Sequence, residues 1–231
     1  MKPGRRGEDT NRIPTGWLGR SVISSPAWWG GCTILIGITG LCGWIMGSRF
    51  LVTIIPQSIT MAPVSAFLFI ILGISASISR SAESEPDYAI LRDILLFPPV
   101  FIGIWVLYDF FQSTPASISW SSYSDYQVFL MAPESRMSLM SAILFPSLSI
   151  ATYLTRSVSR HVSLVFLVIM ICSAGFVAGY CLGHPFFYGS SIKPISFLSA
   201  LGFFLCATGL WLSVRRDNPS SESSPPPGQR L

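Results

Sequence analysis

Uncharged stretches alternate with short charged ones along the chain. They run from Ala27 to Gly47, Phe50 to Ser79, Met137 to Thr155, Val162 to Gly183 and Pro194 to Val214, and a shorter one, Ile94 to Tyr108, ends at Asp109. A hydrocarbon core of ~30 Å takes roughly 20 mostly apolar residues as helix. The pattern therefore predicts transmembrane helices over 27–47, 61–79, 94–111, 137–155, 162–183 and 194–214. Pro26, Trp28 and Trp29 mark the first interface, where indoles settle at headgroup depth. The first apolar run is of full span length and no small-x-small site follows it, so it reads as a retained helix and not a cleaved leader. Outside the six-helix domain, 27–216, lie a polar arm, 1–26, and a tail, 217–231, whose sequence DNPSSESSPPPGQRL has the composition of a disordered segment.

Composition agrees with a membrane domain and fixes its expected orientation. Only 11% of the 231 residues are charged, against about 25% in soluble domains. The net charge of +4 is a topology signal and not a nucleic-acid footprint. Lys2, Arg5, Arg6, Arg12, Arg20, Arg80, Arg92, Arg156, Arg160, Arg215, Arg216 and Arg230 fall on one side of the predicted spans, and only Arg49, Arg136 and Lys193 on the other. The positive-inside rule then puts both termini in the cytoplasm of a multi-pass inner (plasma) membrane protein, with the lipid bilayer as first partner and no nucleic acid.

The second, fourth and sixth helices begin alike. Ser65-Ala66, Ser141-Ala142 and Ser199-Ala200 are each followed, three residues after the alanine, by Phe69, Phe145 and Phe203. The helix before each copy carries a large aromatic near its end: Trp44, Tyr108 and Tyr180. Small residues at a helix start permit close approach, and the hydroxyls can bond to neighbouring backbone. The expected fold is all-α and integral to the membrane, six transmembrane helices as three tandem helical hairpin repeats over 27–79, 94–155 and 162–214, with Ser65, Ser141 and Ser199 as the packing positions of the repeat.

These repeated starts resemble a six-helix membrane input region found at the N-terminus of bacterial sensor histidine kinases and diguanylate cyclases. In that family the second helix of each hairpin opens with a pattern like Arg-Met-x-Pro-x-Thr/Ser-Ala-x-x-Phe-Leu. The stretch Arg136-Met137-Ser138-Leu139-Met140-Ser141-Ala142-Ile143-Leu144-Phe145 is similar to it, as is Met61-Ala62-Pro63-Val64-Ser65-Ala66-Phe67-Leu68-Phe69. Tyr180 to Lys193 resembles the family's short Gly- and Tyr-containing outer loop. Leu139 stands where the family has Pro, and Pro146 interrupts the usual leucine run. The resemblance implies a membrane sensory or ligand-binding module. With no cytoplasmic output segment after the last helix here, it implies signalling through a cytoplasmic partner, a kinase or a cyclase, with self-association into a homo-oligomer as a further expectation. The alternative is a small-molecule transporter or channel subunit, for which internal repeats are also typical.

Catalytic chemistry is sparse. His161 and His184 lie at opposite ends of one predicted span, and HExxH, GxSG and paired intramembrane aspartates do not occur. Cys32, Cys42, Cys172, Cys181 and Cys206 all sit inside predicted spans without a CxxC pair, so no metal, cofactor or disulfide framework is expected, and the chain does not read as an enzyme. Asp109 adjoins an apolar run, where a charge costs ~2.5 to 3.5 kcal/mol unless paired or hydrated. Paired with Arg136, it is expected at the mouth of an outward cavity. The segment from Gln112 to Arg136 carries Trp120, Tyr123, Tyr126 and Phe129 three residues apart, the pattern of a short interfacial helix covering that cavity. The expected ligand-binding residues are Asp109, Arg136, Tyr108, Trp120 and Gln127.

Overall fold

The computed structural model describes residues 26–54, 59–79, 85–112, 137–155, 159–184 and 194–216. Its helices are α1 (Pro26–Ile45), the single-turn α2 (Arg49–Thr53), α3 (Pro63–Ile78), α4 (Pro86–Gln112), α5 (Leu139–Leu154), α6 (Ser159–Cys181) and α7 (Phe197–Arg216), and no strand occurs among the described residues. Helices α1, α4, α6 and α7 are long and apolar enough to cross a membrane. The chain is thus an all-helical membrane protein, with four such helices among the described residues. Helices α3 and α5 are apolar but have 16 residues each, a rise of ~24 Å, which falls short of the bilayer core on its own.

Three boundaries differ from the sequence expectation for physical reasons. Helix α1 ends at Ile45 instead of 47, because Gly47 takes φ 62°. The Gly47 N–H donates to the Trp44 carbonyl at 3.2 Å and the Ser48 N–H to the Gly43 carbonyl at 2.9 Å. This is the Schellman pair of bonds that closes a helix on a left-handed glycine. Helix α6 ends the same way at Gly183 (φ 73°), through Gly183 N–H to Tyr180 O and His184 N–H to Gly179 O. Helix α4 begins at Pro86, eight residues before its uncharged run, with Asp87 in its first turn. Arg92 and Asp93 are accommodated inside the helix because the Arg92 guanidinium donates to Asp93 Oδ1 through Nε at 3.1 Å and Nη2 at 2.9 Å. Adjacent opposite charges thus neutralise each other, and Arg92 is buried.

The helices pack in a closed sequence. Helix α1 packs on α3, α3 on α4, α4 on α5, α5 on α6, α6 on α7, and α7 back on α1, while α3, α5 and α7 also touch one another. Burial follows from this. Over its most apolar stretch α7 is 56% buried, against 33%, 17% and 28% for α1, α4 and α6, so α7 is an inner helix and the other three are outer. Helix α4 turns Phe97, Phe101, Trp105 and Tyr108 outward as a ladder of neighbouring rings, a surface suited to lipid.

Close approach between inner and outer helices depends on glycine. A Cβ on Gly37 would meet the Ala66 carbonyl oxygen at 2.6 Å, and one on Gly103 would meet the Ala142 carbonyl oxygen at 2.9 Å and the Pro146 ring at 2.4 Å. Pro146, an interruption in the sequence pattern, is therefore seated on the bare backbone of Gly103. Proline in a helix interior forgoes one backbone bond, and here its ring fills the space that the glycine leaves.

Candidate functional site

Each inner helix starts at the same end of the bundle, and what starts it differs. Ser138 sits in extended geometry ahead of α5, and its Oγ accepts the Ser141 backbone N–H at 3.2 Å. Ser196 does the same ahead of α7, accepting from Ser199 N–H at 3.2 Å. These are N-caps that satisfy one of the donors every helix start leaves open. In both, the cap hydroxyl then donates onward, Ser138 to Ser141 Oγ at 2.9 Å and Ser196 to Ser199 Oγ at 2.8 Å. The corresponding residue ahead of α3 is Ala62, which has the extended cap geometry but no side-chain acceptor, and Pro63 follows it.

Ser65, Ser141 and Ser199 are 1, 2 and 3% exposed, and all three line one cleft with Ala62, Ser138 and Ser196. Ile59, Thr60 and Pro194 complete the wall, and the space accommodates a water-sized group. Among the described residues no acidic or basic side chain lines it. The Ser65 hydroxyl makes no hydrogen bond to any described residue and opens into the cleft. Hydroxyl donors and the positive ends of three helices face inward together, an arrangement that favours an electron-rich guest.

One helical turn deeper the cleft is closed. Phe69, Phe145 and Phe203 are each fully buried, with ring centroids 4.9, 4.8 and 4.6 Å apart in tilted and edge-to-face pairs. This is the favoured geometry for aromatic rings. Between the serines and the rings, Ala66, Ala142 and Ala200 are fully buried as well. On the far side of the rings the buried residues include apolar ones, Leu72 and Leu148, together with the hydroxyls of Ser75, Ser149 and Thr152.

Two of the outer aromatics fix the backbone that leads into the cleft. The Trp44 indole N–H donates to the Met61 carbonyl at 2.6 Å, and the Tyr180 hydroxyl donates to the Ile195 carbonyl at 2.6 Å. Each carbonyl lies four residues before its cleft serine. Tyr108 behaves differently: it is 58% exposed and its hydroxyl accepts from Gln112 Nε2 at 3.2 Å. Asp109 is exposed on the same turn. Arg136, Trp120 and Gln127 lie outside the described residues, as does the rest of the expected aromatic cover. The structure therefore brings together Ser65, Ser141 and Ser199, and among the described residues it places Tyr108 and Asp109 apart from them at the exposed end of α4.

The cap serines Ser138 and Ser196 went unnoticed in the sequence, although Ser-x-x-Ser ahead of an apolar run is a legible start signal. Among the described residues no group of His, Cys, Asp and Glu is placed to hold a metal ion. No family model matches the chain, and neither does any curated protein or solved structure.

Proposed function

We propose that this chain is a membrane sensory or ligand-binding module of three tandem helical hairpins spanning the bilayer six times, which takes a small polar ligand and passes helix shifts to a cytoplasmic partner. The observation that carries the proposal is the meeting of Ser65, Ser141 and Ser199 in one cleft above the Phe69, Phe145 and Phe203 cluster. Equivalent residues of three helices face one space, so a guest there contacts all three at once. The three rings in mutual contact beneath the cleft favour binding over conduction, since they close it on that side.

With the basic residues inside, the cleft faces outward and the opposite ends of α3, α5 and α7 face the cytoplasm, where a kinase or cyclase would read them. In this reading α3 and α5 reach the span length together with the non-helical segments 59–62 and 137–138 that enter them. A rearrangement at the cleft can reach the far ends because the three helices are joined through close-packed rings, and such cores shift between discrete arrangements more readily than they deform.

The test does not need the natural ligand. Spin labels at Ile78, Leu154 and Arg215 report the far ends of α3, α5 and α7 in lipid nanodiscs. Ser65→Trp, which fills the cleft, should move at least one inter-label distance by about 2 Å or more, a shift of the size seen in helix-displacement switches. Distances that stay fixed while the variant remains folded would remove the signalling reading.

A further inference from the structure

We infer that the serine cleft is a binding site for a small inorganic anion of chloride size, held by three hydroxyl donors and three helix N-termini. This deepens the proposed ligand-binding reading and rests on it.

The inference starts from the direction of the hydrogen bonds. Ser138 Oγ accepts the Ser141 N–H and donates its proton to Ser141 Oγ, so the Ser141 proton is left to donate elsewhere. The same relay through Ser196 leaves the Ser199 proton available. Ser65 has no cap hydroxyl behind it, because Ala62 occupies that position, and its own hydroxyl, on a residue 1% exposed, bonds to no described residue. Its oxygen keeps contact with the cleft, so it is satisfied only by what occupies that space. Its placement in the cleft is explained if something there accepts its proton.

The acceptor is constrained in charge and in size. Three helices of 16, 16 and 20 residues present their N-termini, each equivalent to roughly half a positive charge, and among the described residues no carboxylate lines the wall to oppose an anion. A cation is disfavoured by the same helix ends. The space admits a water-sized group, which suits a halide and excludes a sugar or a nucleotide. A lipid phosphate shares the anionic chemistry, but only one of its oxygens would fit.

The experiment uses the full chain in phosphatidylcholine nanodiscs, in chloride and in gluconate at equal ionic strength. Chloride should raise the midpoint of thermal unfolding saturably, and the ³⁵Cl resonance should broaden in the presence of the protein and narrow on adding bromide. Ser65→Ala leaves both cap relays intact, and it should weaken the apparent chloride affinity about tenfold or more, the loss expected for one hydrogen bond to a charged group. Equal midpoints in chloride and gluconate with no broadening would overturn the inference, as would chloride binding that Ser65→Ala leaves unchanged. A rise in the midpoint with phosphatidylglycerol nanodiscs and not with chloride would also overturn it, in favour of a headgroup. Failure here, with the spin-label distances still responding to Ser65→Trp, removes the anion alone. Saturable chloride binding with fixed distances removes the signalling reading alone.

Discussion

Trp44 donates its indole proton to the main-chain oxygen of Met61 at 2.6 Å, seventeen residues on and across the turn from α1 to α3. The bond ties the end of an outer helix to the extended strand of backbone entering an inner one, four residues before Ser65. Tyr180 and Ile195 are tied in the same manner at 2.6 Å. Replacing Trp44 by Phe keeps most of the ring and removes the donor. The expected cost is about 1 kcal/mol, the usual net worth of one hydrogen bond, read as a lower thermal midpoint in detergent, and Tyr180→Phe should cost a similar amount.

Removing a ring from the central cluster should cost more. Phe145 is fully buried against Phe69 and Phe203, and truncating a buried Phe to Ala costs 3–5 kcal/mol in soluble cores. In lipid the transfer part of that figure is largely absent and the lost packing remains, so Phe145→Ala should destabilise by about 3 kcal/mol. Phe145→Leu, which refills much of the volume, should lose about half as much in the same unfolding assay.

The missing cap ahead of α3 offers the opposite sign. Ala62 already has φ −65° and ψ 141°, the extended geometry of a capping residue. Ala62→Ser should therefore supply the acceptor that Ser138 and Ser196 supply elsewhere, and stabilise by about 1 kcal/mol. A thermal midpoint at or below that of the wild type would show that the α3 start has no room for the hydroxyl.

Sequence pattern located the helices well because charge is excluded from apolar runs, and α5, α6 and α7 begin and end within three residues of their expected bounds. It placed the start of α4 late, since a rule that stops at charges cannot see that Arg92 and Asp93 satisfy each other. The cleft was half legible. Ser65, Ser141 and Ser199 stood out through the alanine and phenylalanine that follow them, whereas Ser138 and Ser196 act through the main-chain donors at a helix start, which leave only a short and common signature. Asp109 and Tyr108 stand out as a charge and a phenol beside an apolar run; both sit on an exposed turn of α4, and Arg136, the partner expected for Asp109, lies outside the described residues.

Among the described residues three fully enclosed hydroxyls have no partner, those of Ser75, Ser149 and Ser173. Ser149 is fully buried in α5. Removing an unsatisfied polar group releases its desolvation cost, so Ser149→Ala should be neutral or raise stability by up to about 1 kcal/mol in a denaturant titration. A loss above about 1 kcal/mol would mean that the hydroxyl bonds to a trapped water.

A Cβ on Gly209 would fall 2.4 Å from the Cβ of Trp29, so the side chain at one end of the chain is seated on bare backbone near the other. The ring of helices closes only at this seam between α1 and α7. During synthesis Trp29 enters the bilayer long before its socket exists, and lipid or an insertion factor has to cover that face in the meantime. Contacts so distant in sequence form late and slowly. The seat of Trp29 on Gly209 can therefore form only once the last helix has been made.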